Sequence, residues 1–175
     1  MDILGFTRYQ FPILNKIPSV RYKDTKKEFD ETYGKSYYGH AIVVDVGADI
    51  GITPSLFKRR GADRVIAYSL DKQSIWYTDK NIEWMGEWHG ELPDGGIFKI
   101  DCEGCEYILN SPEKIVGKYG EWYVAIHVLP ELEHVRKFVE WYDFLSEKGN
   151  LVYHVGNEYM FHGGKNMSIV EGGRR

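Results

Sequence analysis

The chain has 175 residues, of which 43% are hydrophobic, 15% aromatic and 27% charged, with a formal net charge of -4. That length suits one globular domain, excludes a second full one, and suffices for a core without disulfide or metal staples. No apolar run approaches the ~20 residues that cross a bilayer, no basic-then-apolar leader opens the chain, and the negative balance argues against an all-over basic nucleic-acid binder. The expected location is the cytoplasm, where Cys102 and Cys105 need not be structural.

Residues 1–40 carry Arg8, Lys16, Arg21, Lys23, Lys26 and Lys27 and break at Pro12 and Pro18. They read as a basic lead-in packed on a domain formed by residues 41–175, with one helix near Thr25 to Tyr33. Ala41 to Val46 is a short, continuous apolar run of the kind shown by parallel strands buried on both faces. A glycine turn follows, then a helix with Thr53 as N-cap, Pro54 at its first position, basic residues in its last turn and Gly61 as stop. Arg64 to Leu70 is the next strand, completing a crossover unit that takes the right-handed sense. Gly96 to Asp101 is a further strand, with a turn at Cys102-Glu103-Gly104 and a helix from Cys105 to Leu109 after it. Trp122 to Val128 is another. Leu132, Val135, Phe138, Val139, Tyr142 and Leu145 then fall at helical spacing, and Lys148-Gly149-Asn150 ends that helix. Leu151 to Val155 and Glu158 to His162 flank Gly156-Asn157, a two-residue hairpin signal. The expected fold is therefore α/β: a Rossmann-like, doubly wound and mostly parallel sheet with a C-terminal antiparallel hairpin.

In such a sheet the ligand sits beyond the carboxyl ends of the strands, beside the loop after the first. Here that loop is Asp45-Val46-Gly47-Ala48-Asp49-Ile50-Gly51. Gly47 and Gly51 permit close backbone approach, and the following helix aims free N–H groups at a carboxylate or phosphate. The spacing is not the G-x-G-x-x-G of dinucleotide binders. Asp45 and Asp49 repel a pyrophosphate but suit an amine or sulfonium cation.

Val43 to Gly51, taken with Phe98-Lys99-Ile100-Asp101-Cys102-Glu103-Gly104-Cys105-Glu106, resembles the S-adenosylmethionine-dependent methyltransferases of the FkbM type, which pair a D-x-G-A-N-x-G loop with a K-I-D-x-E-G-x-E strand end. The likeness covers roughly Ala41 to Val155. It implies that Asp45, Gly47, Ala48, Asp49 and Gly51 surround the methionine part of S-adenosylmethionine, that Asp101 and Glu103 lie near the transferred methyl group, and that His127 ends the next strand. Three departures stand out. Asp49 replaces the usual asparagine. Ser69-Leu70 replaces a Glu-Pro whose acid accepts from the ribose hydroxyls; Ser69, or Asp71 through a shifted loop, is the candidate substitute, and without one cofactor affinity falls, since such a charge-assisted bond contributes about 1.5 to 3 kcal/mol. Finally, Leu70 to Gly96 holds only one helix, about Gln73 to Asn81, and a short strand, where the family fits a helix, a strand and another helix.

The candidate catalytic residues are Asp101, His127 and Glu103, with Asp101 or His127 as the base for a hydroxyl acceptor. Candidate cofactor contacts are Asp45, Gly47, Ala48, Asp49, Gly51, Ser69, Asp71 and Asp101. Glu103 and Glu106 can equally cap the following helix. Cys102-x-x-Cys105 can be read as a redox dithiol, but the resemblance explains the positions around it without sulfur chemistry. No metal site is expected, and His40, His89, His134, His154 and His162 read as structural. Trp76, Tyr77, Trp84 and Trp88 form an aromatic cover or a stacking surface. The expected activity is O-methylation of a small-molecule or sugar hydroxyl, with a homodimer as a partner state. The rival readings are a degenerate methyltransferase fold that binds or scaffolds, and an RNA-directed enzyme using the basic lead-in as an arm.

Overall fold

A computed structural model describes residues 17–33, 38–70 and 79–164. Seven strands form one sheet in the order β3-β2-β1-β4-β5-β7-β6. They are β1 (Ile42–Val46), β2 (Arg64–Tyr68), β3 (Ile82–Gly86), β4 (Ile97–Ile100), β5 (Glu121–His127), β6 (Asn150–Val155) and β7 (Glu158–Gly164). The first five pair in parallel, while β7 runs antiparallel to both β5 and β6. This is the Rossmann-like sheet with the antiparallel hairpin edge that the element order predicts.

Alternation along the central strands divides the core into two layers. Val43, Val65, Tyr123 and Met160 face α1 (Ile17–Thr32) and α2 (Ile52–Arg59), where Phe29, Tyr33 and Phe57 pack on them. Val44, Ile66, Phe98, Ile126 and Phe161 face α3 (Glu113–Lys118) and α4 (Leu132–Lys148), meeting Ile115, Trp141 and Leu145. Helices on both faces explain why the parallel strands read as unbroken apolar runs instead of alternating ones.

Several expected boundaries shift. The lead-in helix begins at Ile17, eight residues before the expected start, because Pro18 falls in its first turn, where a missing N–H costs nothing. Gly51, at φ 96°, caps α2 in place of Thr53, whose hydroxyl is used elsewhere. Past β4 the chain makes only a short 3-10 turn, Cys105–Ile108, and α3 follows without having been foreseen. Of the helix expected at Gln73–Asn81, residues 71–78 lie outside the described residues and 79–81 turn into β3. On α4, Trp141 and Leu145 are the buried anchors, whereas Leu132 and Val139 of the periodic set face outward. No helix among the described residues is long and apolar enough to cross a membrane.

Candidate active site

The order β1-β4 in mid-sheet is the switch point at which chain direction across the sheet reverses, so the loops after β1 and β4 touch at their bases, then part and border a cleft. The loop after β1 is held from below. Asp45 is fully buried; its Oδ2 accepts from the Thr53 hydroxyl at 2.8 Å, and its Oδ1 lies 3.0 Å from Lys99 Nζ. Oδ1 makes no aligned hydrogen bond there, so that contact is chiefly coulombic. Lys99 also donates to the carbonyls of Val46 and Gly47, at 3.3 and 3.1 Å. Burial alone would lower the Lys99 pKa, but Asp45 and Asp101 raise it more, and the net direction is upward. Gly47, at φ 81°, has no room for a side chain: a Cβ would stand 1.7 Å from the Asp101 carbonyl oxygen. The glycine is thus required by the close approach of the two loops. Asp49 also has a positive φ, 46°, a conformation that Asp and Asn tolerate better than most residues.

The second wall comes from β4, β5 and β7. The parallel register pairs Lys99 with Tyr123, and the antiparallel register pairs His127 with Glu158. Counting by twos along these strands puts Asp101, His127 and Glu158 on the face covered by α1, at neighbouring strand ends. His127 is 4% exposed. Glu106, wholly buried on the turn after β4, accepts the His127 backbone N–H at 2.9 Å and faces its Nδ1 at 3.0 Å through the same oxygen. Its other oxygen accepts from the Gly104 N–H. The imidazole is thereby oriented with Nε2 toward the cleft, 3.7 Å from Asp101 Oδ1. Burial would lower the His127 pKa, yet Glu106 and Asp101 outweigh it and the net shift is upward. Burial, with Asp101 and Glu28 adding to it, pushes Glu158 up to about 7, and Glu28 on α1 is raised by burial and by Asp101.

Together these walls enclose a cleft of about 530 Å³, within the size range of small-molecule sites. Gly47, Ala48, Asp49, Ser69, Asp101, Glu103 and His127 line it. Asp45 and Gly51 are buried outside the lining and act through the loop they hold. Asp71 lies outside the described residues, as do Trp76 and Tyr77 of the aromatic cluster. Ser69 Oγ donates to the Asp49 carbonyl at 3.0 Å, tying the end of β2 to the loop. Trp88 lines the cleft, with its indole N–H committed to the Glu91 carbonyl.

Among the lining residues that sequence reasoning misses are two carboxylates. Glu158 joins the site only through the register of the hairpin with β5, and Glu28 only through the packing of α1. Glu106 caps the 3-10 turn, as its place after β4 suggests, through the Gly104 N–H, and its other oxygen orients His127, which the sequence does not reveal. Cys102 and Cys105, which chain length alone does not require as staples, are nevertheless paired. Their disulfide closes the turn carrying Glu103 and Gly104, and both cysteines border the cleft. The basic lead-in is partly neutralised: Lys26 pairs with Asp30, and Lys27 lies 3.9 Å from Glu31, while Arg8 and Lys16 fall outside the described residues.

Sequence comparison finds relatives in two archaeal viruses. Uncharacterized protein 65 of Sulfolobus islandicus filamentous virus (isolate Iceland/Hveragerdi) is 35% identical over 114 residues, covering 59% of this chain and 70% of that protein. Uncharacterized protein 158B of Sulfolobus islandicus rod-shaped virus 1 is 30% identical over 112 residues, covering 58% and 70%. No protein-family model matches the chain. Among solved structures, a Plasmodium falciparum protein described as a ribosomal RNA methyltransferase superposes with a TM-score of 0.55 at 12% identity, over 84% of this chain and 97% of that one. Magnesium protoporphyrin IX methyltransferase from Synechocystis, solved with bound SAM, gives 0.52 at 9% identity, over 90% and 85%. A Streptococcus thermophilus protein described as a hemolysin gives 0.55 at 13% identity, over 81% of this chain but 64% of its own length. At such identities the likeness establishes a shared methyltransferase-type Rossmann-like fold, and function must be argued from the site.

Proposed function

The chain belongs to the same family as protein 65 of Sulfolobus islandicus filamentous virus, and we propose that this protein is an S-adenosylmethionine-dependent methyltransferase of the FkbM type, acting on a hydroxyl of a small-molecule or sugar acceptor. The observation that carries this reading is the convergence of the Gly47–Asp49 loop and the Asp101–Glu103 strand end on one cleft at the sheet's switch point.

The donor set fits the cofactor. Asp49, Asp101 and Glu103 line the cleft with carboxylates, which suit a cationic amine and sulfonium and oppose a pyrophosphate. Gly47, Ala48 and Asp49 are the residues that would hold the methionine part, with Ser69 beside them at the end of β2. When bound, S-adenosylmethionine supplies an electrophilic methyl group. The protein's share is orientation and exclusion of water. Asp101 and His127 meet the acceptor's hydroxyl and hold its proton between two basic atoms, Oδ1 and Nε2. Glu106 keeps the imidazole aimed there, and Glu28 on α1 roofs the same end of the cleft.

Calorimetric titration with S-adenosylmethionine and with S-adenosylhomocysteine tests the reading. One molecule of either per chain is expected. Absence of heat with both, at high protein concentration, would overturn it.

A further inference from the structure

We propose that Asp101, His127 and Glu158 form a binding site for a divalent transition cation at the methyl-acceptor end of the cleft. One ligating atom from each of the three lies within 4.8 Å of the others. Ligands at about 2.0 to 2.2 Å from one ion stand roughly 3 to 4 Å apart. The 3.7 Å between His127 Nε2 and Asp101 Oδ1 already falls in that range.

Three further observations point to a cation. His127 Nδ1 is engaged by buried Glu106, which leaves Nε2 as the atom presented to the cleft; a carboxylate behind a ligating imidazole is the usual support of a metal-bound histidine. Glu158 Oε1 is buried without a hydrogen bond among the described residues, an orphaned acceptor on the strand next to His127. Neither Glu158 nor Glu28 has an ion-pair partner there, and the nearby ammonium of Lys99 is committed to Asp45 and two loop carbonyls. Asp101, Glu158 and Glu28 are half-buried carboxylates lining the same cleft, and like charges gathered at one site repel unless a positive charge joins them.

One imidazole favours the borderline ion Zn²⁺ over Mg²⁺ or Ca²⁺, while the two carboxylates also suit Mn²⁺, a harder ion that serves as the spectroscopic probe. Three protein ligands leave coordination positions open toward the cleft, the arrangement of catalytic and not structural sites. With the cation bound, His127 Nε2 and Asp101 Oδ1 are its ligands and no longer meet the acceptor's proton themselves; the acceptor hydroxyl takes an open position and is oriented through the cation, which lowers the hydroxyl's pKa in place of a direct base. This deepens the methyltransferase reading of the same cleft, but the cation site stands on residues that need no cofactor.

The test uses the full chain, stripped with a chelator and titrated with Zn²⁺ and with Mn²⁺ alone, by calorimetry and, for Mn²⁺, by electron paramagnetic resonance. One ion per chain is expected. Glu158→Gln and Asp101→Asn should each weaken binding at least about tenfold, and Glu106→Gln should do so by about 10 to 100-fold without removing a ligand. Melting curves identify any variant that fails to fold, and the remaining ones carry the test. No uptake of either ion, or equal affinity in wild type, Glu158→Gln and Asp101→Asn, overturns the site. Titration with S-adenosylhomocysteine in the absence of metal separates the two ideas: cofactor binding without ion uptake removes only the cation site, and ion uptake without cofactor binding removes only the methyltransferase reading.

Discussion

Lys99 on β4 and Asp45 on β1 face each other across the middle of the sheet, Nζ to Oδ1 at 3.0 Å, with 1% and 0% of their side chains exposed. The pair sits under the cleft instead of in it, and it ties the loop after β1 to the strand that ends in Asp101. Removing one partner leaves the other charged and buried without its counter-charge, which costs about 3 to 5 kcal/mol. Lys99→Met and Asp45→Leu should each lower the unfolding free energy from urea titration by that measure, whereas the double variant, apolar on both sides, should recover much of the loss. Additive single losses in the double variant would show that the two side chains act independently.

The same pair sets an alkaline limit to stability. The Lys99 pKa lies above its ordinary value of 10.5 because Asp45 and Asp101 outweigh the opposing effect of burial. A cation whose pKa is higher folded than unfolded adds stability at pH values below the unfolded pKa and loses that contribution as pH rises through the folded value. Melting temperature should therefore fall more steeply above about pH 10.5 in the wild type than in Lys99→Met. Equal slopes in the two proteins would contradict this.

Gly47 and Gly117 make a paired test of what a single methyl group does. At Gly47 the added carbon collides with the Asp101 carbonyl and demands a positive φ, so Gly47→Ala should cost more than about 4 kcal/mol or prevent folding. Gly117 lies inside α3 with nothing within 4 Å of the added carbon. Gly117→Ala should stabilise the protein by about 0.5 to 1 kcal/mol. Chemical denaturation of both variants reads the contrast.

The Cys102–Cys105 disulfide closes a very short loop, so its chain-entropy contribution is small, about 2 kcal/mol. Its larger effect falls on the turn that positions Glu106. Without reductant, alkylation should label neither cysteine; with a dithiol reductant it should label both. Reduction should lower the melting temperature by a few degrees and weaken ligand binding in the cleft more than it weakens the fold. Full labelling before reduction would show that the bond does not form.

Local pattern carried most of the architecture. Unbroken apolar runs marked β1, β2, β4 and β5 because each is buried on both faces, and Gly156-Asn157 marked the β6–β7 hairpin because a two-residue turn tolerates few other sequences. Asp49, Asp101, Glu103 and His127 were legible as candidates from the family resemblance and from their places at the ends of such runs, and all four line the cleft. Short elements were less so: α3 has six residues, too few for a period to show.

What the sequence by itself determined was therefore the set of strands, the long α4 and the two loops at their carboxyl ends. Only the tertiary structure decided what those loops meet. Glu158 faces His127 because antiparallel pairing brings two positions 31 residues apart into register, and Glu28 reaches the cleft because Phe29 and Tyr33 anchor α1 against the sheet. Cross-strand register and helix docking are long-range relationships, set by which buried faces fit one another, and no local spacing of residues encodes them.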